Sequence, residues 1–150
     1  MIRKARINDV KAMHVLLNYF AGQGLLLPRS LSELYDHLRD YLVFESGDGD
    51  VAGVVALHIV WEDLAEIRSL AVEEAYQRQG IGRELIHQCL SEAALLGIHN
   101  VFTLTYQPGF FKRLGFKLVD KAALPHKIWA DCVKCPKFPD CDESALLTEL

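Results

Sequence analysis

The segment Gln77-Arg78-Gln79-Gly80-Ile81-Gly82 sets two glycines between an apolar run, Ile67 to Val72, and an apolar-periodic stretch that begins at Ile81 and reaches Leu96. A strand that turns through glycines into a helix leaves the first N–H groups of that helix without backbone partners. Together with the helix dipole they form a site for an anion such as a pyrophosphate. Gly80 and Gly82 let the backbone approach a ligand with no Cβ in the way. A glycine pair ahead of a helix is equally an ordinary turn, so the neighbouring segments decide. A second cluster lies toward the C-terminus, where Cys132, Cys135 and Cys141 together with His126 offer four ligands of the kind that hold a tetrahedral zinc. A structural zinc there would order a stretch with few apolar residues of its own. A disulfide switch or three free thiols are the alternatives, and Asp131, Asp140 or Asp142 can replace His126 in the ligand set. Cys89 recurs in helical register with Ile81, Leu85 and Ala93, which marks it as a small buried hydrophobe.

The elements that must position these groups follow from periodicity. Ile2 to Ile7 reads as a short strand, and Asn8 or Asp9 caps a helix carrying Val10, Met13, Leu17 and Phe20 on one face, ended by Gly22 and Gly24. Ser30 and Glu33 form a capping box ahead of a second helix with Leu31, Leu34, Tyr35 and Leu38. Tyr41 to Ser46, a Gly47-Asp48-Gly49-Asp50 turn and Val51 to Val60 make a hairpin, and Trp61-Glu62-Asp63 turns the chain into the strand Ala65 to Val72. After the glycine turn and its helix, Asn100 to Thr105 is a strand that the crossover allows to run parallel to Ala65–Val72. Pro108 to Leu114 is a short helix ended by Gly115, and Phe116 to Asp120 is another strand. Ala122 to Asp142 is irregular, and Ser144 to Leu150 resumes a strand pattern. The sum is an α+β fold, a mixed sheet of six to seven strands with helices on both faces, whose ligands meet where adjacent parallel strands separate.

A chain of 150 residues suits one domain, 1–150, with the Cys-rich insertion at about 122–142. A net charge of −4, with 51% apolar and 24% charged residues, argues against a nonspecific nucleic-acid binder, which needs a basic face. No apolar run is long enough to span a bilayer, and the N-terminal residues lack a signal-peptide core, so a cytoplasmic protein is expected. Nothing in the composition opposes a homodimer.

Three motifs in order carry a resemblance: Ala65-Glu66-Ile67-Arg68-Ser69-Leu70-Ala71-Val72, then Gln77-x-x-Gly80-x-Gly82, then Phe110-Phe111-x-x-Leu114-Gly115-Phe116. Together they resemble the GCN5-related N-acetyltransferase (GNAT) family. The resemblance implies a mostly antiparallel sheet with a splayed central parallel pair around acetyl-coenzyme A. It implies that the pyrophosphate is held at Gln77, Arg78, Gln79, Gly80, Ile81, Gly82 and Arg83, and that the pantetheine arm lies along Leu70, Ala71 and Val72, with Phe111 nearby and the Leu70 N–H on the acetyl carbonyl. Leu25-Leu26-Leu27-Pro28-Arg29-Ser30 with Ala65-Glu66-Ile67 is further similar to the acetyltransferase domain of bacterial N-acetylglutamate synthases, as a short stand-alone form. That likeness implies an amino-acid acceptor, L-glutamate, in the first step of arginine biosynthesis. It assigns Arg29 to the acceptor carboxylate, with Arg68 and Ser69 beside it, because a guanidinium fork matches a carboxylate.

Acetyl transfer needs a neutral amine, and Glu66 on the central strand is the candidate base. Its rival role is a surface carboxylate paired with Arg68. The tyrosine common in the Phe-Tyr-x-x-x-Gly-Phe motif is Phe111 here, which cannot donate a proton to the departing thiolate. Tyr106 and Thr105 are the hydroxyl candidates, Tyr106 ahead because a phenol is the stronger acid. Trp61 and Trp129 read as packing anchors, and His14, His37, His58, His87 and His99 show no spacing that suggests a metal or a triad. The alternatives are a family member with another amine acceptor, such as a polyamine or a protein N-terminus, and a non-catalytic acetyl-coenzyme A sensor.

Overall fold

The structure is a computed structural model that describes residues 1–124 and 143–150. Seven strands form one sheet: β1 (Ile2–Lys4), β2 (Tyr41–Glu45), β3 (Val51–Trp61), β4 (Leu64–Val72), β5 (Asn100–Thr105), β6 (Lys117–Val119) and β7 (Ser144–Glu149). Their spatial order is β1-β2-β3-β4-β5-β7-β6, every pair antiparallel except β4–β5. Helix α1 (Val10–Gly22) and the short α2 (Leu31–Asp36) lie on one face, and α3 (Ile81–Leu95) and α4 (Pro108–Arg113) on the other. The sheet matches the expected mixed, mostly antiparallel architecture with a single parallel pair.

Each face has its own apolar cluster because alternate strand residues point opposite ways. Val43, Val54, Ala56 and Ala71 meet Val10, Met13, Leu17 and Leu34 under α1 and α2. Val55, Leu57, Ile67 and Val101 meet Leu85, Ile86 and Cys89 of α3. Cys89 is fully buried, and burial pushes its thiol up to about 12, so it is the inert hydrophobe its register implies.

Three local expectations are corrected. Asp9 does not cap α1 with its side chain; it accepts from the Arg6 N–H at 2.7 Å and is gripped by both Arg3 guanidinium nitrogens at 2.7 and 3.0 Å, which ties β1 to the start of α1. Trp61 is no packing anchor: at the end of the long β3 it stands 60% exposed. Tyr35, expected on the apolar stripe of the second helix, is 43% exposed because α2 ends after six residues and only Leu34 is fully buried. The ligand set His126, Cys132, Cys135 and Cys141, and Trp129, lie outside the described residues.

Candidate active site

The parallel ladder between β4 and β5 runs from Leu64↔Asn100 to Ile67↔Thr103 and stops. At its last rung the buried Thr103 hydroxyl donates to the Ile67 carbonyl at 2.8 Å. Beyond that point the strands diverge around a cleft of about 800 Å³, lined by Arg68 to Val72 on one side and by Leu104, Thr105 and Gln107 on the other. On its outer side β4 carries a bulge. Val54 pairs with Ala71 and Ala56 with Arg68, so Ser69 and Leu70 together oppose Val55. Ser69 takes φ 59° to make that bulge, a left-handed conformation that costs a non-glycine residue about 1–2 kcal/mol. Strain of this kind clusters where a backbone must be re-aimed at a ligand.

The floor of the cleft is the glycine turn. Gln77 donates from Nε2 to the Val72 carbonyl at 2.8 Å, which fastens the turn to the end of β4. Arg78 (φ 65°) and Gly80 (φ 82°) both adopt left-handed backbone, and Gly80 then caps α3, its carbonyl accepting from Glu84 N at 3.0 Å. A Cβ at Gly80 would meet nothing within 4 Å, and one at Gly82 would meet the Phe110 ring at 3.5 Å. The N-terminus of a 15-residue helix thus faces an open cradle, and Arg78, Arg83 and Arg113 stand around it. That is the donor set an anion with two phosphates requires. Phe110 and Phe111 close the far wall, with their rings in edge-to-face contact at 5.2 Å.

Of the residues expected at the donor, Leu70, Ala71, Val72, Gln77, Arg78, Gly80, Ile81, Gly82, Arg83 and Phe111 all line the cleft, while Gln79 does not. Arg68, Ser69 and Thr105 line it as well. Glu66, Tyr106 and Arg29 are outside that lining. Glu66 sits one residue before the β4 lining begins at Ile67, its Oε1 3.6 Å from Arg68 Nη1, and both side chains are nearly covered, 12% and 11% exposed. Arg29 lies on the loop between α1 and α2, which sends Leu25 and Leu26 into the cleft; its guanidinium is 3.3 Å from Glu33. Glu33 completes the expected capping box with Ser30 at 3.1 Å. Burial pushes the Glu33 carboxyl up, but the Ser30 N–H and Arg29 outweigh it and hold the group below its ordinary range.

Sequence reasoning missed Arg113 and Phe110 as cleft residues, although their spacing of three on α4 puts them on one helix face. It also missed that His37, Asp40 and His58 converge. His58 Nδ1 lies 2.8 Å from Asp40 Oδ2, His37 Nδ1 lies 3.8 Å from the same oxygen, and the two rings meet edge to face at 5.3 Å. No single-element spacing could reveal them, because His58 comes from β3 and the other two from the turn before β2.

Comparison with known proteins fits this geometry. The chain is 41% identical over 149 residues to an uncharacterized N-acetyltransferase of Chlorobaculum tepidum, covering 99% of this chain and 96% of that one. It is 38% identical over 122 residues to an amino-acid acetyltransferase of Mycobacterium tuberculosis, covering 80% of this chain and 70% of the relative. Its fold superposes with a TM-score of 0.91 on N-acetylglutamate synthase from Neisseria gonorrhoeae complexed with coenzyme A and N-acetyl-glutamate, at 28% identity, covering all of this chain and 35% of that one. A structure from Mycobacterium tuberculosis solved in complex with CoA superposes at 0.85, with 32% identity and 99% of its chain covered. The acetyltransferase (GNAT) family model matches residues 13–116, which hold β2 to β5, the glycine turn, α3 and α4 with Gly115 after it, so the chain belongs to the acetyltransferase (GNAT) family.

Proposed function

We propose that this protein is an acetyl-coenzyme A-dependent N-acetyltransferase that acts on the α-amine of an amino acid, L-glutamate. The observation that carries the reading is the cleft between β4 and β5. It joins an anion cradle at the start of α3 to an unpaired edge of β4, and it ends beside a covered carboxylate, Glu66. In this reading the first N–H groups of α3 with Arg78 and Arg83 hold the pyrophosphate, and the pantetheine arm runs along Leu70 to Val72 in place of the β5 strand that has turned away. The bulge at Ser69 aims the Leu70 N–H at the acetyl carbonyl, where it stabilises the oxyanion of the tetrahedral intermediate.

Glu66 takes the proton of the acceptor ammonium, directly or through a water, and the neutral amine attacks the thioester carbon. Arg68 Nη1 lies 3.6 Å from Glu66 Oε1, and Arg68 borders the acceptor with Ser69. Arg29 receives the acceptor carboxylate by turning from Glu33, its surface partner at 3.3 Å. The departing thiolate takes its proton from Thr105 in preference to Tyr106, and Thr105 regains one from water in the open cleft. Thr105 lines the cleft, and its Oγ1 accepts from the Gln107 N–H at 2.9 Å, which leaves the hydroxyl proton to be donated. The N-acetylglutamate synthase neighbour supports glutamate as acceptor, and the amino-acid acetyltransferase relative supports an amino acid. The test is thiol release from acetyl-coenzyme A against a panel of twenty amino acids. Glutamate is expected to give the highest kcat/KM; preference for another amine removes glutamate and leaves the acetyltransferase reading standing.

A further inference from the structure

In the reaction proposed above Glu66 accepts a proton in each turnover; its side chain is nearly covered, so that proton needs a way out. Its register partner across the antiparallel β3–β4 ladder is His58. Directly paired residues share one face of the sheet with Cβ atoms about 4.5–5.5 Å apart, close enough for the two side chains to exchange a proton directly or through one water. His58 in turn has Asp40 Oδ2 2.8 Å from its Nδ1, and both side chains are about a quarter exposed, 25% and 24%. An ionised carboxylate can only accept, so Asp40 takes the Nδ1 proton as its hydrogen-bond donor and leaves the Nε2 lone pair as the acceptor. The charged line is therefore Arg68, Glu66, His58, Asp40, running from the cleft wall to water across two strands and the turn before β2.

We propose that His58, oriented by Asp40, is a positioning and relay residue that discharges Glu66 between turnovers; the proposal rests on Glu66 being the base. The ammonium N–H bond breaks and the proton binds a Glu66 carboxylate oxygen. It then passes to Nε2 of His58, whose imidazolium is stabilised by Asp40, and leaves to solvent, restoring the Glu66 carboxylate and the neutral ring. Imidazole suits the step because one ring nitrogen can accept a proton while the other donates one. The groups that face His58 are Asp40 and His37 from the turn before β2 and Glu66 from β4, with Arg68 behind Glu66. His37, half-exposed, lies 3.8 Å from the same Asp40 oxygen and is a second partner for that carboxylate.

The experiment compares wild type, His58→Ala, Asp40→Asn and Glu66→Gln in steady-state acetyl transfer to the best acceptor of the panel, with imidazole added in steps. His58→Ala is expected to lower kcat about tenfold with both KM values within about twofold, and free imidazole is expected to restore several-fold of the loss, because the ring stands in a water-accessible position. Asp40→Asn is expected to give a smaller loss that imidazole also repairs, and Glu66→Gln a larger one that it does not. Loss of kcat in His58→Ala without rescue, or kcat within about twofold of wild type, overturns the relay. The two readings separate cleanly: turnover kept by Glu66→Gln removes the base and the relay together, whereas turnover lost there and untouched in His58→Ala removes the relay alone.

Discussion

Replacing Gly82 with alanine separates the stability of this fold from its hold on the donor. Gly82 is the second residue of α3, and a Cβ there would lie 3.5 Å from Phe110 Cζ and 3.9 Å from Val72 Cγ2, ordinary contacts that need no movement. Glycine in a helix costs about 0.5–1 kcal/mol relative to alanine, so Gly82→Ala is expected to stabilise by up to that amount. For a chain of this size that raises Tm by about 1–4 °C. The same methyl group sits at the mouth of the anion cradle and keeps phosphate oxygens off the first helical N–H groups. A hydrogen bond to a charged group is worth about 1.5–3 kcal/mol, so losing one weakens coenzyme A binding by about tenfold to a hundredfold. Gly80→Ala is the control with the opposite stability sign: its φ of 82° costs alanine about 1–2 kcal/mol even though no atom lies within 4 Å of the new Cβ. Calorimetric titration with coenzyme A and thermal melts read both quantities, and S-acetylpantetheine, which has no pyrophosphate, should bind Gly82→Ala and wild type alike. Coenzyme A affinity within about twofold of wild type in a Gly82→Ala protein that melts higher would refute the cradle.

Three further outcomes are expected. Arg29→Ala should raise the glutamate KM about tenfold or more, the worth of one guanidinium–carboxylate bond, with acetyl-coenzyme A binding unchanged; an unmoved KM removes Arg29 from the acceptor site. Thr105→Val should slow thiol release more than Tyr106→Phe, measured as kcat with a thiol-detecting reagent, and the reverse order would return the proton-donor role to Tyr106. Asp9→Ala should cost about 2–3 kcal/mol in urea unfolding, because the carboxylate bonds Arg3 twice and the Arg6 N–H once, while Arg3 keeps Glu45 at 3.5 Å. The hydrogen bond from Arg3 outweighs burial and, with that from Arg6, holds the Asp9 carboxyl below its ordinary value. Its contribution is therefore complete above the unfolded carboxyl's value near about 4 and fades as pH falls below it, so wild type and Asp9→Ala should converge in stability on acidification.

How far the sequence spoke for this molecule depended on the range of the interaction. The β4, glycine turn, α3, β5 unit was legible because each boundary is written locally: apolar runs, two glycines, then a helical period closed at Gly97. The donor half of the cleft follows from that one unit, which is why nearly all of its expected residues line it. The position of β7 between β5 and β6 was not legible, since it depends on pairing across the residues that separate Val119 from Ser144. The bulge at Ser69 was equally hidden, because serine carries no glycine-like signal for a left-handed backbone. His58 and Asp40 escaped for a third reason: each is unremarkable on its own element, and only the β2–β3 hairpin carries them to the same point. Asp9 looked like a helix cap because Asp before an apolar period usually is one, but Arg3 on the neighbouring strand supplies a stronger partner.

The hydroxyl bond from Thr103 to Ile67 fixes the vertex of the wedge between two parallel strands. One rung fewer would bring the opening level with Glu66 and let water reach its carboxylate. One rung more would carry β5 along Arg68 and take that residue from the cleft wall. A single buried methyl-bearing hydroxyl therefore acts as a depth gauge, and threonine meets the need because it fills the interior like valine while ending the ladder with a donor that valine lacks.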